Sequence, residues 1–274
     1  MSLKKISEKL SYVMLNSKMN KGIRLVDTMP RIIEHDSIGL DSAVVQAARV
    51  SYGKGTKKVN DDKNLISYLM QHKHTTPFEM VDFKFHIKAP IFVTRQWMRH
   101  RTGTFNEISG RYSELKSEWY IPEVVREQSI NNKQGSGIPM VSSYWEEYME
   151  GCEIQNNYYN NLINEGVSKE VARIGLPQNM YTEFYWKVNL HNLLHFLKLR
   201  SHPTAQEEIR EYADEIKNII QPLCPTTVAA FDEHVTNSIT LSASEVNAIS
   251  ELKPFRGTKR QVEEYKNKLD MLRL

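Results

Sequence analysis

Four arginines crowd into RQWMRHRTGTFNEISGRY, residues 95–112: Arg95, Arg99, Arg101 and Arg111. A guanidinium group is planar and permanently charged, and it donates in a fork, so phosphate and carboxylate are its natural partners. Helical spacing predicts that Arg95 and Arg99 share a face, with Gln96 one turn before Arg99. Ser109 and the backbone at Gly110 can donate to the same anion, while Asn106 and Glu107 can read amide and hydroxyl groups on a base or sugar. The segment suits an anionic, nucleotide-like ligand. On composition alone, a solvated, salt-bridged helix end fits it as well.

Other residues offer weaker chemistry. Cys152 falls in the helical stretch after Trp145 and Cys224 lies between prolines; neither has an activating partner nearby in sequence, and both read as structural. His191 and His195 are spaced like a metal pair on a helix. However, HNLLH has Asn192 where the zinc motif has glutamate, and no third ligand is apparent, so no metal is expected. Gly53 and Gly55 suggest a phosphate loop, but the full P-loop and GxGxxG patterns are absent. Tyr181, Phe184, Tyr185 and Trp186 read mostly as core at helical spacing, and His72 and His86 as surface groups.

These residues need a scaffold. Residues 1–20 read as a polar, weakly amphipathic helix, and Ile23 to Val26 as a short strand. Asp41 to Val50 is an alanine-rich helix with Asp41 as its N-cap, and Asn64 to His72 a helix with Leu65, Tyr68 and Leu69 on one side. Val81, Phe83, Phe85 and Ile87 alternate with polar residues, which is the clearest strand pattern in the chain. Pro90 then opens a helix expected to run to about Arg101 and stop at Gly103. Helical patterns follow over 145–165, 178–200 and 207–220, and a charged terminal helix lies behind Thr258. The class is α+β, an antiparallel sheet flanked by helices with a long helical region.

The bulk numbers bound the function. With 40% hydrophobic and 25% charged residues the chain is an ordinary globular protein. A formal net charge of +3 is too small to argue for non-specific nucleic-acid binding. Met1 to Lys18 is too polar for a signal peptide, and no stretch approaches the ~20 apolar residues of a membrane helix, so a cytoplasmic location without membrane contact is expected.

Arg99-His100-Arg101, seven residues and then Ser109 resembles the signature of flavin-dependent thymidylate synthases. NEISGRY (106–112), AARVSY (47–52), HTTPFEM (74–80), NKQGSG (132–137), VARIGLP (171–177) and NLHNLLHFLKLR (189–200) extend the similarity in the family's order over roughly residues 21–232. The resemblance implies a homotetramer that reductively methylates dUMP to dTMP, with FAD as redox relay, NADPH as reductant and methylenetetrahydrofolate as carbon donor. It implies FAD contacts at Ser51, His74, Thr76, Glu79, Arg99, His100, Arg101, Asn106, Glu107, Asn189, His191 and His195. It implies dUMP contacts at Gln96, Arg99, Glu107, Ile108, Ser109, Gly110, Arg111, Tyr112, Arg173 and Arg200, with Arg173 and Arg200 supplied by a neighbouring chain. Some members carry arginine at the place of His191 and asparagine at that of His195.

Arg200 is the expected catalytic residue, activating the uracil. Asn189 and Arg200 are eleven residues apart, close to three helical turns, so one face can present both. No protein nucleophile is implied, which agrees with the reading of the cysteines. Expected organisation is an N-terminal extension (1–20), the synthase domain (21–235) and a C-terminal helical extension (236–274). Two alternatives stay open: a flavin-dependent dUMP hydroxymethylase, and a non-catalytic nucleotide- or nucleic-acid-binding protein on the same scaffold.

Overall fold

The computed structural model describes residues 13–16, 21–31, 39–50, 62–130 and 134–272. Five antiparallel strands form the main sheet in the order β1-β2-β3-β7-β4. They are β1 (Val13–Asn16), β2 (Lys21–Met29), β3 (Asp82–Pro90), β4 (Thr104–Glu107) and β7 (Tyr181–Asn189); β5 (Arg126–Gln128) and β6 (Ser136–Pro139) form a separate hairpin. The helices are α1 (Leu40–Arg49), α2 (Asp62–Gln71), α3 (Thr76–Glu79), α4 (Ile91–Trp97), α5 (Trp145–Asn164), α6 (Lys169–Ala172), α7 (Leu190–Arg200), α8 (Glu207–Ile220), α9 (Pro225–Phe231), α10 (Ala243–Ser250) and α11 (Lys259–Leu272).

The core face of the sheet follows from alternation. Phe83, Phe85 and Ile87 on β3 and Phe184, Trp186 and Val188 on β7 are buried, with Ile23 and Leu25 of β2 beside them. Helices α4, α7 and α8 pack near this sheet, α4 against β3 and α7 against β7. Trp97 is the keystone: its ring meets Phe184, Trp186, Phe196 and Tyr212 at centroid distances of 5.5, 5.3, 5.0 and 5.7 Å. Such aromatic contacts add to area burial and fix ring orientation. They therefore anchor the end of α4, from which the arginine-rich turn departs.

Four expectations need correction. Residues 13–16 form strand β1 on the edge of the sheet, not a helix; the rest of 1–20 lies outside the described residues. Residues 181–189 form the central strand β7, paired along its full length with β3, so the helix begins only at Leu190. The spacing of Phe184, Trp186 and Val188 is the period of two of a strand, and pairing on both sides selects it over a helix. Tyr181, Phe184 and Trp186 are indeed core, whereas Tyr185 lies on the outer face.

Helix α4 ends at Trp97, so Arg99 and Arg101 lie in the following turn rather than on a helix face with Arg95. Burial of His100 behind Trp97 requires that turn. Asp41, expected to cap its own helix, lies inside α1, and its carboxylate accepts from the Thr226 and Thr227 amides (2.8 and 2.9 Å) and the Thr227 hydroxyl (2.6 Å) at the start of α9. It caps a different helix.

The chain divides into two compact units, Met1–Phe231 and Asp232–Leu274. Within the second, Ser242 and Glu245 form a reciprocal cap at α10, and Lys268 of α11 pairs with Glu245 at 2.8 Å. The terminal helix starts behind Thr258 as the sequence predicts, and Thr258 and Gln261 cap it in the same reciprocal way. No helix among the described residues is long and apolar enough to cross a membrane.

Candidate functional site

The expected site residues fall into two groups on one chain. The first gathers around the ends of α4 and α7. Arg200, the last residue of α7, donates from Nε to His100 Nε2 and from Nη2 to the Gln96 carbonyl, each at 3.0 Å. His100 is buried, with its ring edge-on to Phe196 and His195 at 4.9 and 6.0 Å. Burial, reinforced by Arg200 and His195, pulls the His100 pKa down to about 4. The imidazole is thus neutral near pH 7, with Nε2 as acceptor and the proton on Nδ1. Burial also pulls the Arg200 pKa below the usual arginine value. The Gln96 side chain donates to Gln206, the residue that precedes α8.

Helix α3 packs against α7, which brings the His74–Glu79 segment to the helix carrying His191 and His195. Asn189 is the N-cap of α7, its Oδ1 accepting from the Asn192 amide at 2.9 Å. It and Arg200 therefore mark opposite ends of that helix. Arg99 and Arg101 are exposed in the turn after α4 and form no ion pair among the described residues.

Beside this group lies a cleft of about 830 Å³, lined by Ala47, Ala48 and Val50 of the first helical region, Leu65, Tyr68 and Leu69 of α2, and His74 and Thr76. Tyr68 stacks on His74 and His72 at 5.9 and 4.1 Å. Mostly apolar walls with a few polar groups and aromatic faces suit a flat heteroaromatic ring, and the volume falls in the range typical of cofactor pockets. Gln46, His74 and Thr76 are among the polar groups on these walls, a lining that fits the flat ring of a flavin. Ser51, expected to contact it, lies outside the described residues, as does the expected glycine loop at 53–63 up to residue 61, while Asp62 and Lys63 already belong to helix α2. Glu79 is exposed at the end of α3 and does not line the cleft.

The second group is the turn that follows β4. Asn106 is exposed on β4, and Glu107 Oε1 accepts from the Thr182 hydroxyl at 2.7 Å. The Ile108 amide donates to the Glu183 carbonyl, and Ser109 Oγ accepts from the Arg111 amide at 3.2 Å. A Cβ on Gly110 would come within 3.1 Å of Arg173 Cδ and of Leu115 Cδ1, so a larger residue here would press on the seat of Arg173. Arg111 donates from Nε to Glu170 at 3.1 Å, and exposed Tyr112 offers its carbonyl to Lys169. Glu107, Ile108, Gly110, Glu170, Arg173 and Thr182 line a second cleft of about 350 Å³.

Arg173 and Arg200 were expected to reach the site from a neighbouring chain. Within one chain, Arg173 lies on Gly110 and Arg200 bonds the Gln96 carbonyl; these contacts are compatible with service to either copy. Sequence reasoning missed Glu170, Thr182 and Gln206. Glu170 stands three residues before Arg173, a spacing that flags a neighbour on a helical turn. Thr182 becomes visible only once 181–189 is known to be a strand, and Gln206 has no local signal.

Both cysteines are buried. Cys224 donates to the Ile220 carbonyl and burial pushes its thiol pKa up, while Cys152 contacts Asn179, and neither lines either cleft.

Comparison with known proteins places this geometry. The family described as thymidylate synthase complementing protein matches residues 31–226. A protein of Dictyostelium discoideum named flavin-dependent thymidylate synthase is 46% identical over 256 residues, covering 91% of this chain and 84% of its own. A Thermus thermophilus protein of the same name is 53% identical over 234 residues, covering 84% and 83%. Among solved structures, the UMP/dUMP methylase PolB from Streptomyces cacaoi bound with 5-Br dUMP is 31% identical, with a TM-score of 0.67 over 78% of this chain and 95% of that one.

Proposed function

This chain belongs to the flavin-dependent thymidylate synthases, and on that premise we propose that it methylates dUMP to dTMP with FAD, NADPH and methylenetetrahydrofolate. One observation carries the reading. Arg200 uses two of its five N–H donors on His100 and Gln96, which leaves three without a partner among the described residues. A cation held this firmly, partly out of water, is suited to the N3–O4 edge of a uracil, where it offsets negative charge developing in the ring.

Neutral His100 keeps its proton on Nδ1 and orients Arg200 through Nε2. Gln96, bonded to Arg200 through its carbonyl, and Arg99 would serve the base, while Ser109, Arg111 and Arg173 would form the phosphate seat. Glu107, fixed on one oxygen by Thr182, keeps the other for a sugar hydroxyl. His74 and Thr76 in the large cleft would hold the flavin ring, and Arg99 and Arg101 its phosphates, with Ser51, Asn189, His191 and His195 completing its contacts; Glu79 and Asn106, which do not line this cleft, are left without a role in holding it. When bound, FAD supplies the redox step and the passage of the one-carbon unit, while the protein binds and orients.

The exposed turn group and the Arg200 group suit a homotetramer in which a turn from one copy closes over Arg200 of another. A stable monomer in light scattering, with full activity, would count against that arrangement.

The deciding experiment is mass spectrometry of the products formed from dUMP, FAD, NADPH and methylenetetrahydrofolate. Flavin- and nicotinamide-dependent dTMP is the expected outcome. Hydroxymethyl-dUMP would move the reaction to the alternative chemistry, and nucleotide binding without any product would favour a non-catalytic role. The solved relative is a methylase of UMP as well as dUMP, so UMP belongs in the same assay.

A further inference from the structure

A path of polar contacts links Arg200 to the β5–β6 hairpin without passing through either cleft. Glu208, in the first turn of α8, has a side chain only 6% exposed. A carboxylate so far from water must be paired or hydrogen-bonded. It accepts from the Tyr120 hydroxyl at 3.0 Å and from Arg126 Nη2 at 2.8 Å. Through Nη1 the same guanidinium pairs with Glu207, so one cation from the hairpin balances two adjacent carboxylates. Arg126 is itself largely buried, its side chain 19% exposed.

Gln206, immediately before these carboxylates, is the N-cap position of α8 and accepts from the Gln96 side chain. Gln96 in turn gives its carbonyl to Arg200. Ile209, Tyr212 and Ile216 seat α8 in the core, so the polar contacts of Gln206, Glu207 and Glu208 fix where its N-terminal end lies. We propose that Arg126 is a positioning residue for Arg200, acting through the first turn of α8, Gln206 and Gln96. Without Arg126, the Glu207–Glu208 pair loses its counter-charge and the turn shifts toward water. Gln206 shifts with it, and the end of α4, whose Gln96 carbonyl receives the guanidinium, loses the Gln96 side-chain bond that ties it to α8. The proposal rests on the assignment of Arg200 above.

The test is a double-mutant cycle on the full-length, FAD-loaded protein, read as dTMP formation together with bound flavin per chain. Arg126→Met and Gln206→Ala should each lower kcat about tenfold, below the ~100-fold that misplacement by 1 Å can cost, with flavin content unchanged. Combined, they should lose no more than about twofold beyond the worse single variant, since both cut one path. Arg126→Lys keeps the charge but not the fork that spans two carboxylates, so it should fall in between. Should Arg126→Met fail to fold, Arg126→Lys completes the cycle.

Wild-type turnover in the Arg126 variants overturns the proposal. So do losses that multiply to about a hundredfold, because independent sites behave that way. Arg200→Ala, run in parallel, separates the two claims: wild-type turnover there removes the Arg200 assignment and with it the end of the path, whereas multiplying losses beside an inactive Arg200→Ala remove the path alone.

Discussion

The two groups of arginines differ in how they are held. Arg200 is half-buried, bonded to a neutral histidine and a backbone carbonyl, on a turn packed against Trp97. Arg111 and Arg173 are exposed on short segments, Arg111 with one contact to Glu170 and Arg173 resting on Gly110. The first arrangement is preorganised, suited to stabilising charge that appears only in the transition state. The second is suited to capturing a charge already present, for which exposed forks suffice. Aiming a cation therefore takes far more of the fold than supplying one.

The sharpest break of this contrast is Arg200→Ala. We expect kcat to fall about 100- to 1,000-fold while flavin is retained, as when one preorganised donor is removed from an active site. Parallel loss of turnover and flavin would show instead that Arg200 holds the cofactor region together. Next in size, Arg173→Ala should raise the KM for dUMP by about tenfold with kcat nearly unchanged, and added salt should weaken the wild-type protein toward the variant. A fall in kcat with constant KM would place Arg173 with Arg200.

The smallest effect concerns the buried histidine. Its folded pKa of about 4 lies below the ordinary 6.5, so the unfolded chain takes up the proton first as pH falls. Its contribution is complete above pH 6.5 and is lost as pH drops toward 4. Between pH 7.5 and 5 this costs on the order of 2 kcal/mol. In urea melts, His100→Asn should lose less stability than wild type over that interval. An identical loss would mean that other groups set the acid limit.

The sequence made the second group more legible than the first. NEISGRY places Glu107, Ser109, Gly110 and Arg111 within a few residues, so their proximity is local and needs no fold. The bond between Arg200 and His100 spans a hundred positions and depends on β7 being a strand, which the aromatic-rich run over 181–189 conceals behind a helix-like distribution of bulky side chains. The strand at 82–90 was plain because polar and apolar residues alternate there. The early end of α4 was not, since it follows from tertiary burial of His100 rather than from a breaker residue. Asp41 misleads for a similar reason: the carboxylate stands where an N-cap would, but its acceptors' partners lie at the far end of the domain.

That last contact has a consequence for synthesis. Asp41 is separated from Thr226 and Thr227 by 185 and 186 positions, and the Leu40 amide bonds across the same gap to the Leu223 carbonyl at 2.9 Å. Helix α1, which forms one wall of the large cleft, cannot dock until those residues have left the ribosome. At roughly 5–20 residues per second that delay is about 10–40 s. The β2–β3 pair, complete by residue 90, can thus form well before the cleft closes, whereas the rest of the sheet waits for β7 at 181–189, so the wall of this cleft is among the last parts of the unit to assemble.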